Sequence, residues 1–331
     1  MSTYRSFVFK KNNNVVTNDI VLGNTENLPA GDVLIKVAYS SVSSYDILYT
    51  DENGLYKGVY PYTPGVDAAG IVAESASNAF RAGDEVVVYG CGLGTDIPGG
   101  FGQFVRVKES SVINLPTGLS LKDSMTIGSD GIAAALAVME IMAAGIQSNS
   151  KDVIVSGAAM GIGAFSCAIL SECGYNVTAV TSKDDAHDFI KELGVKSVTD
   201  TEKFTDKTET YFLNERYVAA VDNLGGDVLN TIIRSVKGGA TVAVCGASSG
   251  SEYFSSSVMP FILRGINLVG IDSLRCSGGL KREALYKLSG DWYLKSLPFL
   301  CNEISIFEIA EYLERIKNGS VKGKIVINHE I

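Results

Sequence analysis

The chain has 331 residues, 46% of them hydrophobic, with 37 acidic against 28 basic side chains, a net charge of −9 and a pI near 4.9. A length of this order suggests two domains of an ordinary soluble protein, and the acidic balance argues against nucleic acid as a partner, which selects basic surfaces. The opening MSTYRSFVFKKNNNVV lacks the apolar segment of a secretory signal, and the longest apolar run, 131–146, is too short for a bilayer and contains Glu140; a cytoplasmic protein with no membrane partner is expected.

Residues 1–124 are rich in short β-like runs, DVLIKVAYS, GIVAE, GDEVVVYG and FGQFVRVKE, punctuated by Gly, Pro and Asp. This pattern predicts a small barrel or sandwich. Residues 126–146 follow with helical spacing of Ala, Met and other apolar residues. From 152 to 273, five strand-like runs (VIVSG, NVTAVTS, YVAAVDN, ATVAVCG, NLVGIDS) alternate with helical segments that include VLNTIIRSVKGG. Such alternation implies an α/β fold, a doubly wound parallel sheet with helices on both faces. The expected division is therefore 1–125, 126–273 and a return segment, 274–331, that ends in a strand, KGKIVINHEI.

The six cysteines, at 91, 167, 173, 245, 276 and 301, form no CxxC, and His187 lies far from His329. No metal site can be assembled from such spacings, so free thiols are expected. His187 sits in the charged run SKDDAHDFIKEL and His329 next to the C-terminus, which leaves Ser-His-Asp or Cys-His catalysis weakly supported.

The informative stretch is Gly157-Ala158-Ala159-Met160-Gly161-Ile162-Gly163, which follows a predicted strand and opens a predicted helix. Glycines there allow a tight turn and close backbone approach, so that amide N–H groups at the helix start can face a pyrophosphate. The next strand ends Thr181-Ser182-Lys183, a hydroxyl and a cation where an NAD site carries Asp or Glu for the ribose 2′-hydroxyl. That choice suits a 2′-phosphate and predicts NADP(H); Asp184 and Asp185 come later and are expected to cap the next helix. A short-chain dehydrogenase also carries a GxxxGxG loop, but it needs a YxxxK pair, and none of the 15 tyrosines has Lys four residues on.

The order of a β-rich unit, a Rossmann unit and a return segment resembles the medium-chain dehydrogenase/reductase superfamily over essentially the whole chain. The resemblance is closest to its zinc-independent acryloyl-CoA reductase and quinone oxidoreductase branch. It rests on VLIKVAYSSV (33–42), PYTPGVDAAGIV (61–72), GGFGQFVRVK (99–108), PTGLSLKDSMTIG (116–128), AVDNLGG (220–226), PFILRGINLVGIDS (260–273) and VKGKIVI (321–327). It implies a GroES-like (chaperonin-10-like) barrel for 1–125, completed by 274–331, and an NADP(H)-binding Rossmann domain for 126–273. Zinc relatives place a catalytic Cys where this chain has Ser43 and a His where it has Val66, and the region of their four-cysteine lobe holds only Cys91. No zinc is therefore expected. Without a metal Lewis acid, a conjugated acceptor that spreads its own developing charge is the easier substrate.

By the same resemblance, Ala159, Met160, Gly161 and Ile162 match the pyrophosphate loop, and Thr181, Ser182 and Lys183 the 2′-phosphate end. Gly246 and Ala247 match the nicotinamide side, Ser273 ends the last Rossmann strand as a further cofactor residue, and Lys324 stands for a family Arg, keeping the charge without the planar fork. The family's Asn-Tyr-Lys-Asp beside the nicotinamide reads Ser43-Ser44-Tyr45-Asp46 here, and Gly-Thr-Ala-Gly reads Gly128-Ser129-Asp130-Gly131. Ser44 and Ser129 are thus further cofactor candidates, while Asp130 brings a carboxylate to that region. Tyr45 is the candidate proton donor or oxyanion hydrogen-bond donor, with packing as the other reading. Asp46 is expected to orient the loop rather than act as a base. Tyr49, Tyr56, Tyr60 and Tyr62 either stack on a flat acceptor or form hydrophobic cover, and Arg264 is either a ligand or a structural residue. The implied activity is an NADPH-dependent, metal-free reductase delivering hydride to the β-carbon of an enoyl thioester such as acryloyl-CoA. A quinone reductase and a non-catalytic NADPH-binding protein are the alternatives. A homodimer is implied through the 260–273 segment, taken as strand-rich, and recognition of a CoA phosphate would call on cations such as Lys57, Arg81 or Lys108.

Overall fold

The computed structural model describes residues 2–13, 15–50, 60–149, 151–247 and 252–331, excepting the side chains of 48–50. The chain forms two compact units: Met1–Asp130 with Ser273–Gly290 and Leu297–Ile331, and Gly131–Asp272 with Asp291–Ser296.

The first unit begins with an antiparallel pair, β1 (Thr3–Asn12) and β2 (Val15–Asn24), and continues through β3 (Val33–Val42), β4 (Asp67–Ser75), β5 (Glu85–Tyr89), β6 (Phe104–Val107) and β7 (Ile113–Asn114). The second unit holds β8 (Asp152–Ser156), β9 (Asn176–Thr181), β10 (Ser197–Asp200), β11 (Tyr217–Asp222), β12 (Val236–Val244) and β13 (Asn267–Gly270). The chain then returns to the first unit with β14 (Cys301–Ser305) and β15 (Lys324–Asn328).

In the first unit one sheet runs β14-β15-β3-β4-β5-β7, with β6 paired to β3. Its core takes alternate residues of these strands, Val33, Ile35 and Val37 from β3 and Val86 and Val88 from β5, as the two-residue side-chain period requires. Each such burial is worth about 1.5–3 kcal/mol. In the second unit the order is β10-β9-β8-β11-β12-β13, and every pairing is parallel. Counted within that unit this is the 3-2-1-4-5-6 order of a doubly wound dinucleotide fold, as the alternation of strands and helices predicted. The helix Gly161–Glu172 is buried from Ile162 through Leu170, which is why its sequence is apolar on all sides rather than on one stripe.

Three local expectations need correction. The sheet has a sixth strand, β10, whose four residues are exposed or half-buried; a short edge strand carries no apolar signature to read. The segment VLNTIIRSVKGG is helical only to Ser235, and Val236 already opens β12. PFILRG is a helix, Met259–Arg264, rather than strand: Pro260 sits in its first turn and Gly265 closes it in the left-handed conformation at φ +58°. Leu121–Ala143 is a helical stretch of 23 residues interrupted at Gly128, long and apolar enough by length and composition to cross a membrane, but 83% of its most apolar window is buried inside the protein.

Candidate cofactor and active site

In the second unit the glycine loop joins the end of β8 to the helix Gly161–Glu172. A Cβ at Gly163 would overlap the carbonyl oxygen of Gly157, so the helix can pack this closely on the loop only with glycine there. The Ala158 N–H is turned back to the Val180 carbonyl at 3.2 Å. Met160 occupies the N-cap with extended backbone and offers no side-chain acceptor, so the N–H groups of the first turn are left to an external anion. These residues fit a pyrophosphate.

A side-chain network that the sequence did not single out underlies this loop. Ser156 Oγ donates to Asp222 Oδ1 at 2.6 Å, and Asp222 Oδ2 accepts the Gly225 N–H at 2.9 Å. The Asn223 N–H donates to Ser156 Oγ at 2.9 Å, and Asn223 Nδ2 to the Ser156 carbonyl at 2.8 Å. Burial pushes the Asp222 carboxyl above the usual carboxylate range while these donors oppose the rise. The network ties the carboxyl ends of β8 and β11, the two strands at which the sheet order reverses and where such folds bind ligands. Ser156 and Asp222 both close their strands, and that position was the available signal. Gly246 lies beside Asn223, whose carbonyl oxygen would be 3.3 Å from an added Cβ, and Ala247 is exposed.

At the end of β9, Thr181 is buried and its Oγ1 accepts the Lys183 N–H at 3.2 Å, while Ser182 is exposed and Lys183 half-buried. Asp184 and Asp185 lie inside the first turn of a short 3₁₀ helix with Lys183 at its N-cap, so neither is the cap expected from the sequence.

In the first unit, Asp46 holds a turn together. Its Oδ2 accepts the Ser43 N–H at 2.8 Å and its Oδ1 the Gly65 N–H at 3.0 Å. Burial, and to a lesser degree the charge of Asp67, pushes its carboxyl up to about 7 against those two N–H donors and Lys324. This is the orienting role expected of Asp46. Ser43 Oγ accepts the Tyr45 N–H at 3.0 Å, so the residue in the zinc-cysteine position serves as a turn cap, and Val66 is a buried hydrocarbon. Ser44 is exposed and Tyr45 half-buried in the first turn of the helix Ser44–Thr50.

A second cluster forms where that long apolar helix is broken at Gly128, which adopts φ +54° and ψ −172°. A Cβ at Gly128 would come within 2.9 Å of Ser41 Oγ, Asp67 Oδ2 and Lys324 Cε. Asp67 Oδ2 accepts Ser41 Oγ at 2.7 Å, the Ser129 N–H at 2.8 Å and Ser129 Oγ at 3.1 Å. Lys324 Nζ donates to Asp130 Oδ2 at 2.7 Å with both side chains buried. Burial raises the Asp67 carboxyl, and Lys324 opposes it. Ser129, read as a cofactor contact, thus bonds Asp67, and the charge of Lys324, read likewise, compensates the buried carboxylate of Asp130. Ser273 is fully buried with its hydroxyl unpartnered. Asp67 and Ser41 were missed, although Asp67 adjoins Val66 in the quoted PGVDAAG.

Tyr62 stacks on Phe9 with ring centroids 5.8 Å apart and meets Tyr60 edge-on at 5.4 Å, so it is hydrophobic cover rather than an acceptor platform. The side chain of Tyr49, Tyr56 and Lys57 lie outside the described residues; Arg81 and Lys108 are exposed. Arg264 is structural: its guanidinium donates to the carbonyls of Arg234, Val236 and Leu213 at 2.7–2.9 Å and pairs with Glu215. All six cysteines are free thiols.

Residues 29–117 match the family described as Alcohol dehydrogenase GroES-like domain, and residues 161–287 match Zinc-binding dehydrogenase. The chain is 34% identical over 99% of both lengths to the YhfP protein of Bacillus subtilis, whose name places it with the quinone oxidoreductases. It is 32% identical, over 91% of each chain, to the acrylyl-CoA reductase AcuI of Ruegeria pomeroyi. Among solved structures it resembles the yhdH oxidoreductase of Salmonella enterica in complex with NADP, at 30% identity and a TM-score of 0.94 over 98% of this chain and 99% of that one. It likewise resembles Bacillus subtilis yhfP with NAD bound, at 32% identity and a TM-score of 0.95 over 99% and 100%. The chain therefore belongs to the medium-chain dehydrogenase/reductase superfamily, in the branch that contains the acrylyl-CoA reductases and YhfP, with a GroES-like domain and a Rossmann domain.

Proposed function

We propose that the protein is an NADP(H)-dependent, zinc-free reductase that delivers hydride to the β-carbon of an enoyl thioester of the acrylyl-CoA type. What carries this reading is the end of β9, where Thr181-Ser182-Lys183 offers a hydroxyl and a cation to a 2′-phosphate in place of the carboxylate an NAD site uses. The relatives named acrylyl-CoA reductase supply the acceptor class. When bound, the dihydronicotinamide supplies the hydride. Ala159, Met160, Gly161 and Ile162 hold the pyrophosphate by backbone N–H groups, Gly246 and Ala247 belong to the nicotinamide side, and Ser44, Ser129 and Ser273 are further cofactor candidates. Lys324 acts there through its pair with Asp130. Asp46 fixes the turn that carries Tyr45, and Tyr45 Oη gives the proton to the α-carbon, with solvent as the other donor. The zinc-free reading is supported by the donor set itself, since a capping serine and a buried valine stand where the zinc relatives place ligands.

A quinone acceptor is the second reading, favoured by the match to YhfP over nearly all of both chains. The protein is further proposed to be a cytoplasmic homodimer without nucleic-acid or membrane partners. The edge strand β13 and the exposed Ile262 and Leu263 of the adjoining helix support self-association. Steady-state oxidation of NADPH, with NADH alongside, against acrylyl-CoA, crotonoyl-CoA and a quinone panel tests the assignment. NADPH-selective turnover of an enoyl-CoA is expected. Turnover of quinones alone moves the function to the second reading, and tight NADPH binding with no turnover leaves a cofactor-binding protein.

A further inference from the structure

Lys281 is the most fully buried cation outside the cluster at Gly128, with 1% of its surface exposed. Its Nζ donates to the carbonyl oxygens of Tyr89 and Leu274, each at 2.7 Å, and to Cys91 Sγ at 3.2 Å. Among the described residues none of these partners is a carboxylate. A buried ammonium is normally paired with an anion, and among the described residues its hydrogen-bond partners here are two carbonyls and the Cys91 sulfur. Cys91 is also the one exposed cysteine of the six. The residue is thus reachable from solvent while its sulfur lies 3.2 Å from a buried cation. All four residues belong to the first unit.

We propose that Cys91 and Lys281 form a peroxide-responsive modification site that closes a reversible sulfur–nitrogen link between the loop after β5 and the helix Gly278–Ser289. In the first step the Cys91 sulfur attacks a hydroperoxide. An S–O bond forms as the O–O bond breaks, the sulfur loses two electrons to become a sulfenic acid, and hydrogen peroxide is reduced to water. In the second step the Lys281 nitrogen forms an S–N bond as the S–O bond breaks, releasing water and a proton with no further oxidant. An added thiol opens the link by attack on sulfur, restoring the amine and returning Cys91 after a second thiol exchange. The other cysteines are poorer targets on two counts. None is exposed, and burial pushes the Cys167, Cys245 and Cys301 thiols up.

The test treats the intact protein with hydrogen peroxide at increasing ratios, with and without a sulfenic-acid trap, followed by peptide mass mapping. The expected result is a joined pair of peptides carrying Cys91 and Lys281, lighter by two hydrogens than their sum and separated by dithiothreitol. It should form before any other cysteine is oxidised. Lys281→Arg keeps a cation behind the sulfur but cannot close the link, so trapped Cys91 sulfenic acid should accumulate at least several-fold over wild type. Cys91→Ser retains an acceptor for the ammonium and should give no joined peptide. Oxidation of Cys91 no earlier than Cys173, Cys245, Cys276 or Cys301 overturns the proposal. So does oxidation of Cys91 to sulfinic acid in the wild type with no joined peptide, a result that does not depend on either variant folding.

Discussion

At the end of β8 the groups left to an anion are backbone N–H groups in the first turn of the helix Gly161–Glu172, neighbours in sequence and without formal charge. Around Gly128, by contrast, the charges of Asp67, Asp130 and Lys324 arrive from positions up to 257 residues apart, and Asp67 and Lys324 are close enough to perturb Asp46. The first site depends on conformation, so it fails when atoms are added. The second depends on compensation, so it fails when atoms are removed. Glycine appears in both, but Gly163 admits a neighbouring backbone whereas Gly128 admits side chains.

The largest expected effect comes from removing a charge at Gly128. Lys324→Met leaves Asp130 buried without its partner and should cost about 3–5 kcal/mol in urea unfolding, while adding Asp130→Leu should recover most of the loss. A Lys324→Met protein as stable as wild type would mean that the pair carries no compensating role. Adding atoms to the glycine loop comes next. Gly163→Val should cost about 1–3 kcal/mol, and NADPH fluorescence titration should show at least about tenfold weaker binding. Unchanged NADPH affinity in a folded Gly163→Val protein would remove the loop from the cofactor site. Ser156→Ala tests whether the second unit also contains a compensation-dependent element. It strips Asp222 Oδ1 of a donor and the Asn223 N–H of an acceptor, for an expected loss of about 1–3 kcal/mol.

The smallest effect is a pair of opposed pH dependences within the first unit. Folded Asp46 holds its proton up to about 7, while in the unfolded chain it loses it near 3.8, so this residue makes stability fall as pH rises through that window. His329 is opposite in sign. Burial holds it down to about 4 from 6.5, with its Nε2 on Ser40 Oγ at 2.9 Å, so the unfolded chain takes up a proton first and stability falls on acidification. Each contributes at most about 1.4 kcal/mol per pH unit, and between pH 6.5 and 4 they largely cancel. Unfolding titrations over that range, read as differences from wild type, therefore separate the two contributions. They should slope toward greater stability in acid for His329→Asn and toward lower stability in acid for Asp46→Asn. The same slope in all three proteins would show that neither group is shifted by its burial.

Cofactor chemistry was legible in the sequence because its signals are short-range. A strand, a glycine turn, an apolar helix and the residues closing the next strand lie within 153–183, and their geometry follows from local backbone preference. Asp46 was legible as an orienting residue for the same reason, since its Ser43 partner is three positions away. The bonds of Ser129 to Asp67 and of Lys324 to Asp130 were not legible, because resemblance locates a side chain without saying which neighbour takes its hydrogen bond. β10 escaped because an edge strand needs no apolar face, and PFILRG misled because the helix it forms leaves Ile262 and Leu263 exposed.

By itself, then, the sequence determined the parallel β/α order and the glycine loop. These are properties of residue type and short spacing. Tertiary structure alone decided that Lys324 neutralises Asp130, that Asp67 gathers Ser41 and Ser129, and that Lys281 lies against Cys91. Such pairings are set by which distant segments are packed into a low-dielectric interior, where an unpaired charge is costly, and no spacing along the chain encodes that cost.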